Sequence, residues 1–229
     1  MGEMVTFPSN GTGGQGYLAT PASGSGPGVV VIQEWWGLND QIKGVCDRYA
    51  SEGFVALAPD LYRGEVTSEP DEAGKLMMSL NIEQAAKDMV GAVHYLLSLD
   101  ATTGDTVGAT GYCMGGALVL RLGTMCPDKI GALAPYYGVV GWPQAPVDWS
   151  KCSAPIQGHY ATDDDFASPE AVAAFADELR ALGKQVEIFT YEDTQHAFTN
   201  EQRPEVHDAE ATEQAFQRTF AFFRERLGA

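Results

Sequence analysis

The chain has 229 residues, with 31 acidic against 14 basic side chains and a formal net charge of −17. Without a Lys/Arg cluster to displace counterions it is read as binding no nucleic acid, and the same acid excess repels anionic lipid. Hydrophobic content of 45% and charged content of 20% exclude collagen, coiled coil and a disordered tail, and the length fits one α/β domain over residues 1–229.

Residues 5–7 and 17–19 flank a Gly-rich stretch, 10–16, and predict a short antiparallel hairpin. The apolar run 29–33 predicts a strand covered on both faces. A helix over 40–51 follows, then a buried strand, 54–58, stopped by Pro59. Residues 63–71 are polar and loop-like. Ala86, Met89, Val90, Val93, Leu96 and Leu97 recur at helical spacing and predict a helix over 82–99. Strand 106–111 and helix 114–125 come next, then strands 131–138 and 155–160. Helix 169–182 is closed by Gly183, which suits a left-handed C-terminal cap; strand 186–191 and helix 206–226 end the chain. Strands alternating with helices imply a three-layer α/β sandwich with a mainly parallel central sheet.

No apolar run approaches the roughly 18 residues of a membrane span. The first residues lack a basic stretch followed by an apolar one. Gly2 and Thr6 match a myristoylation pattern, but a single acyl chain anchors only marginally. The expectation is a cytoplasmic protein without membrane attachment, its oligomeric state left open by the sequence with a monomer favoured. Cys46, Cys113, Cys126 and Cys152 are far apart, with no CxxC and no Cys/His pair at zinc spacing, so free thiols, no metal and no cofactor are expected.

In a parallel sheet ligands bind beyond the carboxyl ends of the strands. Gly111-Tyr112-Cys113-Met114-Gly115 lies at such an end and fits the G-x-S-x-G nucleophile elbow with Cys for Ser. A buried structural Cys in a Gly-rich turn is the plainer reading of an isolated motif. A strand before it, a helix after it and partners downstream favour the nucleophile. The helix starting at Met114 aims its N-terminal N–H groups at the sulfur, with the Met114 N–H as an oxyanion donor. The base is His196, just past the last strand; His94 and His207 fall on helices and His159 within a strand, as a core or supporting residue. One of Asp163, Asp164 and Asp165 supplies the acid, and spacing does not choose among them. The order nucleophile–acid–His is that of α/β-hydrolases. Glu34, after an apolar strand and before Trp35-Trp36, either approaches the sulfur or pairs with an Arg at the sheet edge.

These residues resemble the dienelactone hydrolase family. The likeness rests on Val31-Ile32-Gln33-Glu34 with Gly37, Pro59-Asp60-Leu61-Tyr62, the elbow through Leu118, Tyr136-Tyr137-Gly138, Asp164 with Phe166, and Tyr191-Glu192 with His196 and Phe198. The resemblance implies the α/β-hydrolase fold, a Cys113–His196–Asp164 triad and an oxyanion hole from the N–H groups of Trp35 and Met114. It also implies a Glu34 that contacts the resting thiol and moves away when substrate binds. Its type reaction is opening of a dienelactone ring through a thioester acyl-enzyme.

The family holds the substrate carboxylate with arginines, one shortly after the catalytic His. Here that position is Asn200, and the loop 65–71 offers no Arg. Arg63, Lys75 and Arg203 are the nearby cations, and Trp36 flanks the turn. The expectation is therefore a small-molecule ester or lactone hydrolase. A second reading is a carboxylesterase or thioesterase on a neutral substrate, with Trp35, Trp36, Met78 and Trp142 lining an apolar pocket. A reading of another class is a non-catalytic binding or thiol redox-sensing protein on the same fold.

Overall fold

The computed structural model describes residues 2–9, 13–138, 140 and 142–228. Eight strands form one sheet: β1 (Glu3–Phe7), β2 (Gly14–Ala19), β3 (Gly26–Ile32), β4 (Val55–Pro59), β5 (Thr102–Tyr112), β6 (Ile130–Tyr136), β7 (Ile156–Asp163) and β8 (Val186–Gln195). Their order is β1-β2-β4-β3-β5-β6-β7-β8. The expected hairpin is present: β1 pairs antiparallel with β2, which pairs antiparallel with β4. Its turn at 10–12 lies outside the described residues. From β4 to β8 every pairing is parallel.

Helices cover both faces: α1 (Asp40–Ser51), α2 (Pro70–Ser79), α3 (Ile82–Ser98), α4 (Met114–Met125), α5 (Pro169–Ala181) and α6 (Ala209–Leu227). The apolar run of β3 divides by alternation. Val30 and Ile32 join the cluster under α3 and α4, while Val29 and Val31 join the one under α1 and α6. A strand buried on both sides therefore reads as continuous hydrophobicity. At about 25 cal/mol per Å² of apolar surface removed from water, these two clusters dominate the folding energy.

Local signals set the helix ends. Asn39 Oδ1 accepts from Ile42 N at 3.1 Å to start α1, and Ser168 with Pro169 at the first position starts α5. Gly183 takes the left-handed conformation, φ +74°, just after α5. Helix α6 starts three residues later than the pattern suggested, because Asp208 caps it by accepting from Ala211 N. Strand β5 starts four residues earlier than expected, with a register shift against β3 between Pro27 and Val29. Helix α2 has no counterpart in the sequence reading. Pro70 begins it, and it buries only Ala73, so no apolar stripe announces it.

Candidate active site

The turn from β5 into α4 is built by glycines that let backbones meet. A Cβ on Gly115 would lie 2.5 Å from the carbonyl oxygens of Ile32 and Gln33, and one on Gly111 would lie 2.2 Å from Gly115 O. Between them Cys113 sits at φ +54°, ψ −116°, a strained conformation for a residue with a side chain. Its own N–H donates to Tyr136 O at 3.1 Å, which ties the turn to β6. The half-buried side chain lines a cavity of about 90 Å³ at the carboxyl edge of the sheet. Among the described hydrogen bonds, the backbone N–H groups of Trp35 and Met114 donate to no carbonyl of the surrounding turns.

His196 lines the same cavity. Its Nδ1 lies 2.7 Å from Asp164 Oδ2. The second oxygen of Asp164 accepts from the N–H groups of Phe166 and Ala167 at 2.8 and 3.0 Å, so the carboxylate is fixed. Asp163 and Asp165 are exposed, and of the three carboxylates it is Asp164 that meets the imidazole. His196 Nε2 is buried and has no partner among the described hydrogen bonds, and Cys113 shares the cavity with the ring. Burial alone would lower the imidazole pKa. The hydrogen bond to Asp164 and the nearby Asp164 and Cys113 groups outweigh it and push the pKa up to about 10. Phe166, largely exposed, packs its ring 5.0 Å from that of His196.

Glu34 is buried at the cavity wall, and both its oxygens are engaged by side chains other than Cys113. Oε1 accepts from Tyr137 OH at 3.1 Å and Oε2 from Asn200 Nδ2 at 2.8 Å. Tyr137 OH also meets Thr199 Oγ1 at 2.6 Å. Burial raises the Glu34 pKa, against the opposing pull of His196, Asn200, Tyr137 and Arg203. The contact with the resting thiol that the resemblance implies is not among the described hydrogen bonds. Asn200 donates through its amide to Glu34 and also lines the wider cleft beyond Trp36. Tyr137 and Thr199 were not foreseen as parts of this network, although Tyr137 follows directly on β6, where the strand-end rule points.

The remaining candidates separate. Trp35, Trp36 and Arg203 line the cavity. Arg203 stacks its guanidinium 5.9 Å from the Trp36 ring and bonds Glu205 through Nε at 2.9 Å. Arg63 instead pairs with buried Asp88 at 3.2 Å, and exposed Lys75 pairs with Glu72 one helical turn back. Neither lines the cavity, because the left-handed turn at Arg63 and the outer face of α2 direct them elsewhere. Met77 rather than Met78 reaches the cavity; Met78 is 87% exposed. Trp142 lines a separate apolar groove with Trp149 and Phe175. His159 is a core residue, bonded to Tyr191 OH and Thr219 Oγ1, with its pKa driven down to about 3 by burial.

A mainly parallel eight-stranded sheet with a tight strand-to-helix turn after its fifth strand is the α/β-hydrolase architecture. The dienelactone hydrolase family model matches residues 15–227. Protein usf of Aquifex pyrophilus is 40% identical over 99% of this chain and 100% of its own length. An Aquifex aeolicus protein named "Putative carboxymethylenebutenolidase" is 34% identical, over 99% and 100%. A Klebsiella pneumoniae crystal structure named "Putative Dienelactone Hydrolase" superposes with a TM-score of 0.88 at 26% identity, covering 97% of this chain and 98% of that one. The chain belongs to the dienelactone hydrolase family, which makes it a hydrolase of the ester and lactone class. Among the described residues no helix is long and apolar enough to cross a membrane.

Proposed function

We propose that the protein cleaves carboxylic esters or lactones with Cys113 as nucleophile, His196 as proton carrier and Asp164 as its orienting carboxylate. The observation that carries this reading is the strained Cys113 turn facing His196, whose far nitrogen is bonded to a fixed, buried Asp164. With the imidazole pKa near 10, the proton rests on the ring at neutral pH. The sulfur then attacks the carbonyl carbon, forming the C–S bond while charge develops on oxygen. The N–H groups of Trp35 and Met114 are the donors for that oxyanion. Collapse breaks the C–O bond, and the leaving alkoxide takes the proton from His196 Nε2. Water, deprotonated by the same nitrogen, then attacks the thioester, releasing the acid and restoring Cys113.

Between lactone opening and cleavage of neutral esters, one observation favours the neutral substrate. Among the described residues Arg203 is the one Lys or Arg at the cavity wall, and its Nε is bonded to Glu205, so an anion such as dienelactone competes with that carboxylate for it. Steady-state hydrolysis of cis-dienelactone, a neutral lactone and p-nitrophenyl acetate, by wild type and Cys113→Ala, tests both points. We expect the variant to lose activity by at least about 10³-fold, in line with losing a covalent nucleophile. We also expect the neutral substrates to be preferred. Turnover that survives Cys113→Ala would overturn the mechanism and leave a binding or sensing role for the thiol.

A further inference from the structure

Two chambers meet at the cleft, and their linings differ in chemistry. The inner one, about 90 Å³, is walled by Cys113, His196, Trp35, Met77 and Phe166. It is the smaller of the two and suits a short acyl group. The outer one, about 570 Å³, opens beyond Trp36 and Arg203, which line both. Since the acyl carbon becomes bonded to Cys113, the acyl group belongs in the inner chamber. The alcohol, which must depart, belongs in the wider outer one.

The outer wall is polar without net charge. Its cation, Arg203, is paired with its anion, Glu205. The Ser68 hydroxyl and the Gln202 side-chain amide line it, and neither takes part in a described hydrogen bond. Asn39, whose side-chain carbonyl oxygen caps α1, lines the same chamber. Hydroxyl and amide groups offer donors and acceptors together, which matches a ligand whose groups are each both. Trp36, Val66 and Pro70 add apolar surface for carbon-bound hydrogens. A few placed polar groups on an otherwise apolar wall are how pockets fix a ligand's orientation.

We propose that the outer chamber is a subsite for an uncharged polyhydroxylated group, so that the substrates are esters of a small acid with a sugar-like alcohol. The proposal rests on the Cys113 reading above and adds the class of alcohol.

The test compares kcat/KM for three acetates sharing one acyl group: 6-O-acetylglucose, hexyl acetate and 6-acetoxyhexanoate. p-Nitrophenyl acetate, with wild type and Cys113→Ala, reports on the chemistry separately. The glucose ester should exceed the other two by about tenfold or more, as a few net hydrogen bonds allow. Gln202→Leu and Ser68→Val should each lower the ratio of glucose ester to hexyl acetate by about three- to tenfold, a readout that cancels general damage to the enzyme. A ratio near one, or one that both variants leave unmoved, overturns the subsite while Cys113-dependent turnover of p-nitrophenyl acetate keeps the hydrolase reading. Preference for 6-acetoxyhexanoate overturns it too, by showing that Arg203 leaves Glu205 for a substrate carboxylate. Turnover of p-nitrophenyl acetate that survives Cys113→Ala, or no turnover of any acetate, overturns both.

Discussion

Glu34 shows how little a residue's neighbours in sequence say about its partners. Its carboxylate is buried at the cleft, and Tyr137 and Asn200, far along the chain, supply the two hydrogen bonds that make the burial tolerable. Asn200→Leu leaves Oε2 without its donor, a loss of about 1–3 kcal/mol that a urea midpoint measures. Loss of nothing would mean that Asn200 contributes no net stability there. His196 couples stability to pH. Its folded pKa, about 10, lies above the ordinary value near 6.5, so the stabilisation is complete below about pH 6.5 and is lost as pH climbs through 10. Denaturant midpoints between pH 6.5 and 10 should therefore fall for wild type and fall less for His196→Gln.

At the level of elements, the carboxyl edge of the sheet is where packing becomes chemistry. Strand β3 and helix α4 approach through Gly115, whose absent side chain leaves room for two carbonyl oxygens. Gly115→Ala must push α4 off the sheet and carry the Met114 N–H with it. We expect about 1–3 kcal/mol of lost stability from the overpacking and a drop in kcat/KM toward 10²-fold from misplacement of the turn, read by denaturation and steady-state kinetics. The strands and most helices were legible because buried elements carry periodic or continuous apolar patterns. Helix α2 was not, since it buries one alanine and gives no period to find. The elbow and its order of partners were legible because strand-to-helix turns need glycines at fixed spacing. Which of Arg63, Lys75 and Arg203 faces the cleft was not, because that depends on the direction a side chain leaves its turn. Arg63 leaves toward Asp88, and only Arg203 leans on Trp36.

For the whole molecule, the charge of −17 sets how substrates arrive. A field of that sign slows anions and is screened over about 10 Å at 0.1 M salt. Turnover of 6-acetoxyhexanoate at low substrate concentration should rise several-fold between about 0.01 and 0.2 M NaCl, while that of hexyl acetate stays level. Equal salt responses would show that Arg203 sets the local field at the cleft.

The four thiols differ sharply in their surroundings. Cys46 and Cys152 are buried, burial pushes their pKa values up, and Cys126 is held at about 11 for the same reason. Cys113 alone borders the cavity beside an imidazole. Iodoacetamide at neutral pH should therefore consume one equivalent per folded chain, with catalysis vanishing in step, and mass spectrometry should find the label on that residue. The molecule thus carries its own census: a stoichiometric reading of how many copies in a preparation are competent, independent of any assumed substrate.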